Sequence, residues 1–162
     1  MAFARLHGES LPPARCWWKK GAAAEAIGRS RGGLTTKVHL VVDALGLPVD
    51  FAITVGQRHD SQPAPELIAR VAPRCLLADK AYDSNAIREQ LASLDCDAVI
   101  PSKSVRKAVL PHDAELYKAR SAVECTFALF KQARRFATRY EKTLRNYTAV
   151  VLLCCIKCWL RI

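Results

Sequence analysis

Four residues in the second half of the chain have side chains and spacing that suit phosphate chemistry. Tyr117, Arg120, Glu124 and Lys131 are separated by three, four and seven positions. At about 100° per residue they share one stripe of a helix. An acid, two bases and a phenol form an unusual stripe, because the face on which a helix packs is normally apolar. An ordinary solvated face, with Arg120 and Glu124 as an i,i+4 pair, fits the same pattern.

Asp79 adds a second carboxylate to this set. It ends a short apolar run, residues 74–79, that reads as a buried strand, and α/β folds place ligands at the carboxyl ends of such strands. If the helix packs across the sheet, Asp79 and Glu124 converge and need a cation between them. Oxygen ligands favour Mg²⁺, which activates the nucleophile and stabilises the leaving oxygen in phosphodiester chemistry. Arg120 and Lys131 would hold the phosphate.

The elements that must position these residues follow from hydrophobic periodicity. Residues 36–43 and 49–55 alternate as strands around a turn at 44–46, which predicts a hairpin. The order of strands and helices predicts a mixed α/β fold with helices packed on a sheet. The other predicted elements are a helix at 64–71, strands at 74–79 and 97–100, a helix from 83 or 84 to about 94, a long helix from 114 to about 136 and an apolar, buried helix at 146–161.

Length and charge restrict the function further. The chain has 162 residues and a net charge of +10, enough for one domain with a core. Residues 1–40 carry net +5, residues 41–100 net −4 and residues 101–162 net +9. Basic flanks of this kind favour a polyanion partner, most simply nucleic acid, although a basic protein without that role has the same composition. The sequence contains no run of about 20 apolar residues, so it predicts no membrane-spanning helix.

The seven cysteines do not suggest a disulfide framework. Their number is odd and their neighbours are apolar, which is typical of reduced thiols used as small hydrophobic residues. Cys155 and Cys158 form one CxxC pair. A structural zinc site needs a second pair at matching spacing, and the sequence has none.

The residues described so far belong to a wider resemblance. The pattern Tyr117-x2-Arg120-x3-Glu124-x6-Lys131 resembles the glutamate-region signature of bacterial insertion-sequence transposases of the DDE type. The order and spacing of several segments between 19 and 160 are similar to the same group. These segments are GRSRGG at 28–33 followed by LTTK, VDALG at 42–46, LADKAYD at 77–83, VIP at 99–101 and RYEKT at 139–143.

This resemblance implies an RNase H-like fold, a mixed sheet flanked by helices. It also implies a two-metal site for Mg²⁺ or Mn²⁺ in which Asp79 is the second of three acids and Glu124 the third. Tyr117, Arg120 and Lys131 would contact transposon-end DNA or support the glutamate. The partners implied are insertion-sequence terminal repeats, target DNA and a second transposase copy, in a cytoplasmic, nucleoid-associated setting.

Further cations are weaker candidates for DNA contact. A basic, glycine-rich loop carrying Arg29 and Arg31 could touch phosphate or serve as a flexible connection. Arg134, Arg135 and Arg139 could contact DNA, and a solvated basic helix end explains them about as well.

The first acid of the family pattern has no counterpart in this sequence. Its expected place lies near residues 4–7, where there is no carboxylate. Glu9 is nearby but is not in a strand-like context, and Asp43 suits a turn cap. We therefore expect an irregular leader over 1–18, a truncated catalytic domain over 19–162, and a first strand that is lost or degenerate.

Three functional hypotheses follow from this departure. The chain is a transposase fragment, from a degenerate copy or a frameshifted product, that is inactive alone for lack of the first acid. Alternatively, it is a non-catalytic DNA-binding or oligomerising fragment that inhibits or complements a full-length transposase. The third is a remnant that does not fold stably.

Overall fold

The computed structural model describes the backbone of residues 2–5, 9–10, 23–30, 33–106 and 108–160. It describes the side chains of residues 23–29, 33–106 and 108–160. The candidate DNA contact Arg31, Cys16 and the expected boundary at Lys19 lie outside these residues. Within the described part of the chain, no helix has the length and apolar character needed to cross a membrane.

A long antiparallel hairpin is the largest unit of the sheet. Strands β4 (Gly33–Val42) and β5 (Pro48–Val55) pair from Thr36 opposite Val55 to Val42 opposite Pro48. At the turn, an oxygen of Asp43 accepts hydrogen bonds from the backbone N–H groups of Leu45 and Leu47, both at 2.9 Å. The predicted hairpin and the predicted role of Asp43 as a turn cap are confirmed.

The other strands complete a mixed sheet. Strand β1 (Ala2–Arg5) is antiparallel to β4 and parallel to β6 (Cys75–Ala78), and β7 (Asp97–Val99) is parallel to β6. Because β1 and β5 pair with the same residues of β4, they lie on its opposite edges, and the order is β5-β4-β1-β6-β7. Two short strands, β2 (Glu9–Ser10) and β3 (Gly28–Ser30), also pair with β4.

Of the two expectations for the first strand, lost or degenerate, the first is wrong: the strand is present, although it carries no acid. Strand β1 lies between β4 and β6, the place that an RNase H-like sheet requires of its first strand. The irregular leader is also wrong for residues 2–5 and 9–10, which are paired with β4. These pairings join residues 25 or more positions apart, which local periodicity cannot reveal. The expected domain boundary at residue 19 stays a prediction.

The sheet has a helical layer on each face, as predicted for the RNase H-like class. Helices α1 (Ala64–Val71) and α2 (Asn85–Ser93) pack on one face, with the Ser84 hydroxyl capping α2 as predicted. The other layer comprises α3 (Ala114–Lys118), α4 (Ser121–Lys131), α5 (Arg134–Ala137) and α6 (Leu144–Trp159).

Alternation along the strands divides the core into two clusters. In β4, Val38, Leu40 and Val42 face the α4–α6 layer, whereas Val41 faces α1 and α2. In β6, Leu77 belongs to the first cluster and its neighbours to the second. This alternation determines that a residue two positions after Leu77 lies on the face covered by α4.

The single long helix predicted over 114–136 is wrong. The chain is helical in three pieces, with breaks after Lys118 and after Lys131. Ala133 adopts an extended conformation (φ −80°, ψ 107°), and this bend places the buried ring of Phe136 5.1 Å from that of Phe130. Burial of an aromatic ring outweighs the loss of a few helical hydrogen bonds.

The last helix is also less buried than predicted. Helix α6 begins at Leu144, where the Thr143 hydroxyl accepts a hydrogen bond from the N–H of Asn146 at 3.3 Å. Tyr147, Val151 and the thiols of Cys154 and Cys158 are buried against the sheet. The other side of α6 is exposed, including Leu152, Leu153, Ile156 and Trp159.

Candidate active site at the carboxyl edge of the sheet

Asp79 lies where β6 leaves the sheet. It is partly buried and extended (φ −68°, ψ 157°), and its carbonyl accepts the N–H of Tyr82 at 2.9 Å to begin a 3₁₀ turn over Lys80–Tyr82. Because Leu77 faces the α4 layer, the alternation puts Asp79 on that same face. Within the described part of the chain, no hydrogen bond reaches the Asp79 carboxylate, so its oxygens are available to a ligand.

Glu124 lies on the first turn of α4. The neighbouring positions Val123 and Phe127 are buried in the core, and they fix the helix to the sheet. The Glu124 side chain is 58% exposed, and its Oε1 accepts a hydrogen bond from Arg120 at 2.5 Å. The helix therefore holds a carboxylate at the rim of the core, with one oxygen bound and the other open.

Arg120 bonds to Glu124 and is also influenced by the charge of Asp79. Burial, the largest single effect, lowers the pKa of its guanidinium, and the hydrogen bond to Glu124 opposes it. The charges of Tyr117, Glu124 and Asp79 add to the effect of the hydrogen bond, and the pKa is raised above its usual value. Asp79, on the face covered by α4, is therefore within electrostatic range of the guanidinium that bonds to Glu124.

The chain geometry around Arg120 also brings Tyr117 into this corner. The link between α3 and α4 is a tight turn in which the N–H of Arg120 bonds to the carbonyl of Tyr117 at 3.0 Å. Side chains three positions apart stack in such a turn, and the guanidinium lies 5.5 Å from the ring centre of Tyr117. Tyr117, Arg120 and Glu124 therefore form one contiguous group.

The remaining predicted cations are more scattered. Lys131, at the end of α4, is exposed and lies about 10 Å along the helix axis from Glu124. Arg29 on β3 and Arg134 on α5 are exposed. Arg135 is 76% exposed and forms an ion pair with Glu141 at 3.5 Å. None of these four cations is in the group formed by Tyr117, Arg120 and Glu124.

The proposal that Arg139 contacts DNA is wrong. Its side chain is fully buried and donates hydrogen bonds to the hydroxyl of Thr36 at 2.5 Å and to the carbonyls of Glu25 at 2.8 Å, Glu141 at 3.1 Å and Ala26 at 3.3 Å. Burial lowers the pKa of this guanidinium. Periodicity placed it on a solvated helix end, because nothing local in the sequence shows that distant carbonyls converge there.

Asp83 is a buried carboxylate near the candidate site that our sequence reasoning did not single out as a site residue. It is 4% exposed and accepts hydrogen bonds from Arg88 at 2.8 Å, from two nitrogens of Arg106 at 3.0 Å and from the N–H of Lys103 at 2.9 Å. Burial opposes ionisation, but these donors lower its pKa to about 2. The motif LADKAYD contains Asp83, and the spacing to Asp79 was the available signal.

The carboxylates that could hold a metal are Asp79 and Glu124. They supply the oxygen ligands that Mg²⁺ prefers, and Glu124 keeps one oxygen outside its bond to Arg120. Strand β1 contributes no acid, since its sequence is Ala-Phe-Ala-Arg. Among the residues that the structure describes, no group of three or more His, Cys, Asp or Glu side chains is placed to hold a metal ion.

Four of the cysteines that the structure describes are in environments that disfavour thiolate chemistry. Burial raises the pKa of Cys155 to about 12 and also raises the pKa of Cys75, Cys96 and Cys154. Cys125 is exposed, so the expectation that the thiols are buried does not hold for this residue.

Comparison with known proteins decides the family. The family model described as a transposase DDE domain matches residues 4–159. The chain belongs to the DDE transposases. A protein from Brucella ovis assigned as transposase for insertion sequence element IS6501 is 40% identical over 130 residues, which cover 79% of this chain and all of the relative. A protein from Burkholderia cepacia, assigned as transposase for insertion sequence element IS402, is 28% identical over 158 residues. These residues cover 90% of this chain and 72% of the relative.

Membership confirms the resemblance drawn from the sequence. DNA is the partner class of DDE transposases, and the family generally uses divalent metal ions. The matched region includes Asp79, Glu124 and the group around Arg120, and it begins within β1.

Proposed function

We propose that this chain is a DNA transposase catalytic domain that works at insertion-sequence ends, with Asp79 and Glu124 as two of its metal ligands. The observation that supports this proposal is geometric: Asp79 follows β6 on the face covered by α4, and α4 carries Glu124 with its bond to Arg120. When bound there, Mg²⁺ or Mn²⁺ would activate the attacking oxygen and stabilise the leaving oxygen of a phosphodiester.

The chain's own residues would bind and orient the DNA. Arg120 is partly buried, and its Nε has no hydrogen-bond partner among the described residues. A guanidinium in this state is suited to a phosphate, which it would exchange for, or share with, Glu124. Lys131 would contact a phosphate further along the strand, and the exposed Arg29, Arg134 and Arg135 would extend the contact.

We propose further that this 162-residue chain has negligible cleavage activity by itself. In β1, Phe3 pairs with Ala78. The next residue, Ala4, therefore lies beside Asp79 in the register, and it has no carboxylate. A pair of metal ions bridged by carboxylates loses a ligand when the first strand has no acid.

The test is cleavage of a labelled insertion-sequence end with Mg²⁺ or Mn²⁺, comparing the chain with D79N and E124Q. We expect no cleavage above background from any of the three. Metal-dependent cleavage that E124Q abolishes, in an E124Q protein with unchanged circular dichroism, would overturn the claim of inactivity while supporting the metal-ligand roles.

The second candidate function is that of a non-catalytic DNA-binding or oligomerising fragment. The net charge of +10 and the acid-free first strand favour it. Titrating this chain into an active full-length transposase distinguishes the effects, since a fall in cleavage indicates inhibition and a rise indicates complementation. No change would contradict this role.

A further inference from the structure

The loop that follows β7 projects from the same edge of the sheet as Asp79. Strands β6 and β7 are parallel, with Leu77 opposite Val99, so their carboxyl ends reach the same edge. At its far end, the loop leads into α3, and the ring of His112 contacts the edge of Tyr117 with centres 5.7 Å apart. The loop therefore lies beside the candidate active site.

This loop is closed and anchored. The Ser102 hydroxyl accepts the N–H of Leu110 at 3.0 Å and joins the two ends, as in compact Ω-loops. Asp83 binds Arg106 through two oxygens and the N–H of Lys103, so a buried carboxylate holds the loop from below. A loop fixed at these points does not have to be ordered when a ligand binds, and this lowers the entropic cost of binding.

The described part of the loop combines cations with two exposed apolar side chains. The sequence has no acid between Asp97 and Asp113. Lys103 forms no ion pair with a described residue. Val105 is 85% exposed and Val109 is 77% exposed. Apolar side chains flanked by cations are typical of proteins that press against the sugars and base edges of the DNA minor groove.

We propose that the described part of this loop, residues 102–106 and 108–110, is a preformed DNA-contact element, in which Lys103 binds a phosphate and Val105 and Val109 pack in a groove. This inference rests on the proposed function, because it assumes that DNA is bound at the edge occupied by Asp79. It assigns Asp83 the role of a positioning residue, which acts through Arg106 and Lys103.

The experiment uses fluorescence anisotropy of a labelled random-sequence 30-base-pair DNA duplex, titrated with the full 162-residue chain between 50 and 200 mM salt. We expect K103A to reduce the magnitude of the slope of log affinity against log salt by about 0.9, since one phosphate contact is lost. We expect V105S/V109S to weaken binding about ten-fold at each salt concentration with the slope unchanged, because apolar contacts release no counterions.

Matched controls come from the opposite edge of the sheet. Leu45 is 80% exposed at the hairpin turn, and Lys157 is exposed near the end of α6, which contacts Pro48 through Trp159. L45S and K157A should leave affinity and salt slope unchanged. The substituted valines are exposed, so circular dichroism of V105S/V109S should match that of the parent chain.

The outcomes distinguish this inference from the proposed function. If the parent chain binds the duplex and neither loop variant differs from it, the loop inference is overturned and the proposed function stands. If the parent chain does not bind at 50 mM salt, both fail. If V105S/V109S changes only self-association, measured by analytical ultracentrifugation, these two valines form a protein contact and the DNA assignment is overturned.

Discussion

Two arginines, Arg120 and Arg139, show how one side chain serves two purposes in this chain. Both stack on a tyrosine, Arg120 at 5.5 Å from the ring centre of Tyr117 and Arg139 at 4.8 Å from that of Tyr147. Arg139 is fully buried and meets four oxygen acceptors, whereas Arg120 is partly exposed and donates one hydrogen bond, to Glu124.

The difference teaches how to separate a structural cation from one that can bind a ligand. The acceptors of Arg139 are mostly backbone carbonyls, which cannot leave, so this guanidinium joins the segment around Glu25 to the chain that precedes α6. The partner of Arg120 is a carboxylate on a 58% exposed side chain, which a phosphate or a metal ion can replace or share.

The largest effect on stability should come from removing the buried arginine. R139A removes the arginine donor from the carbonyl of Glu25 and the hydroxyl of Thr36, and one of the two donors to the carbonyl of Ala26, in a buried place. We expect a loss of about 3 kcal/mol in the free energy of unfolding, measured by urea denaturation. R120A should lose less than about 1 kcal/mol in the same measurement. Equal losses of stability in R139A and R120A would show that the two arginines do not differ in structural importance.

Asp83 is a second buried charged residue, and the pH dependence of stability tests its contribution. The pKa of Asp83 is about 2 in the folded chain and near its ordinary value of 3.8 when unfolded. Because the folded pKa is the lower one, the stabilisation is complete above about pH 4 and is lost as the pH falls toward 2. It amounts to about 2 kcal/mol.

The measurement is urea denaturation of the chain and of D83N at several pH values from 6 to 2.5. The difference in stability between the two proteins should shrink as the pH falls through this interval. A difference that stays constant would show that the carboxylate charge of Asp83 contributes nothing.

The smallest expected effect on folding, and the most informative about function, is that of Arg120 on DNA. R120A should reduce the magnitude of the salt slope of duplex binding by about 0.9, because one phosphate contact is removed. R120K should retain the slope but bind more weakly, since an ammonium lacks the fork geometry. A salt slope that R120A leaves unchanged would place Arg120 with Arg139 as a structural residue.

Much of the fold could be predicted from local patterns. Helix α1 has the predicted bounds, and β4, β5, β6, β7 and α2 differ from prediction by a few residues at most. The alternation of apolar residues, the Ser84 cap and the Asp43 turn each depend on residues within a few positions of one another. A short stretch of sequence is therefore enough to predict these elements. The grouping of Tyr117, Arg120 and Glu124 on one face could also be predicted, because the tight turn between α3 and α4 keeps these residues in contact.

What the sequence by itself determined is therefore the set of local elements, the family and the candidate residues. The tertiary structure alone decided that Arg139 is buried, that Asp83 anchors the loop that follows β7, and that β1 inserts between β4 and β6. Each of these outcomes joins residues about 20 to more than 100 positions apart. Whether a polar group is desolvated and finds its hydrogen-bond partners depends on the assembled core. The local periodicity of the sequence carries no information about this.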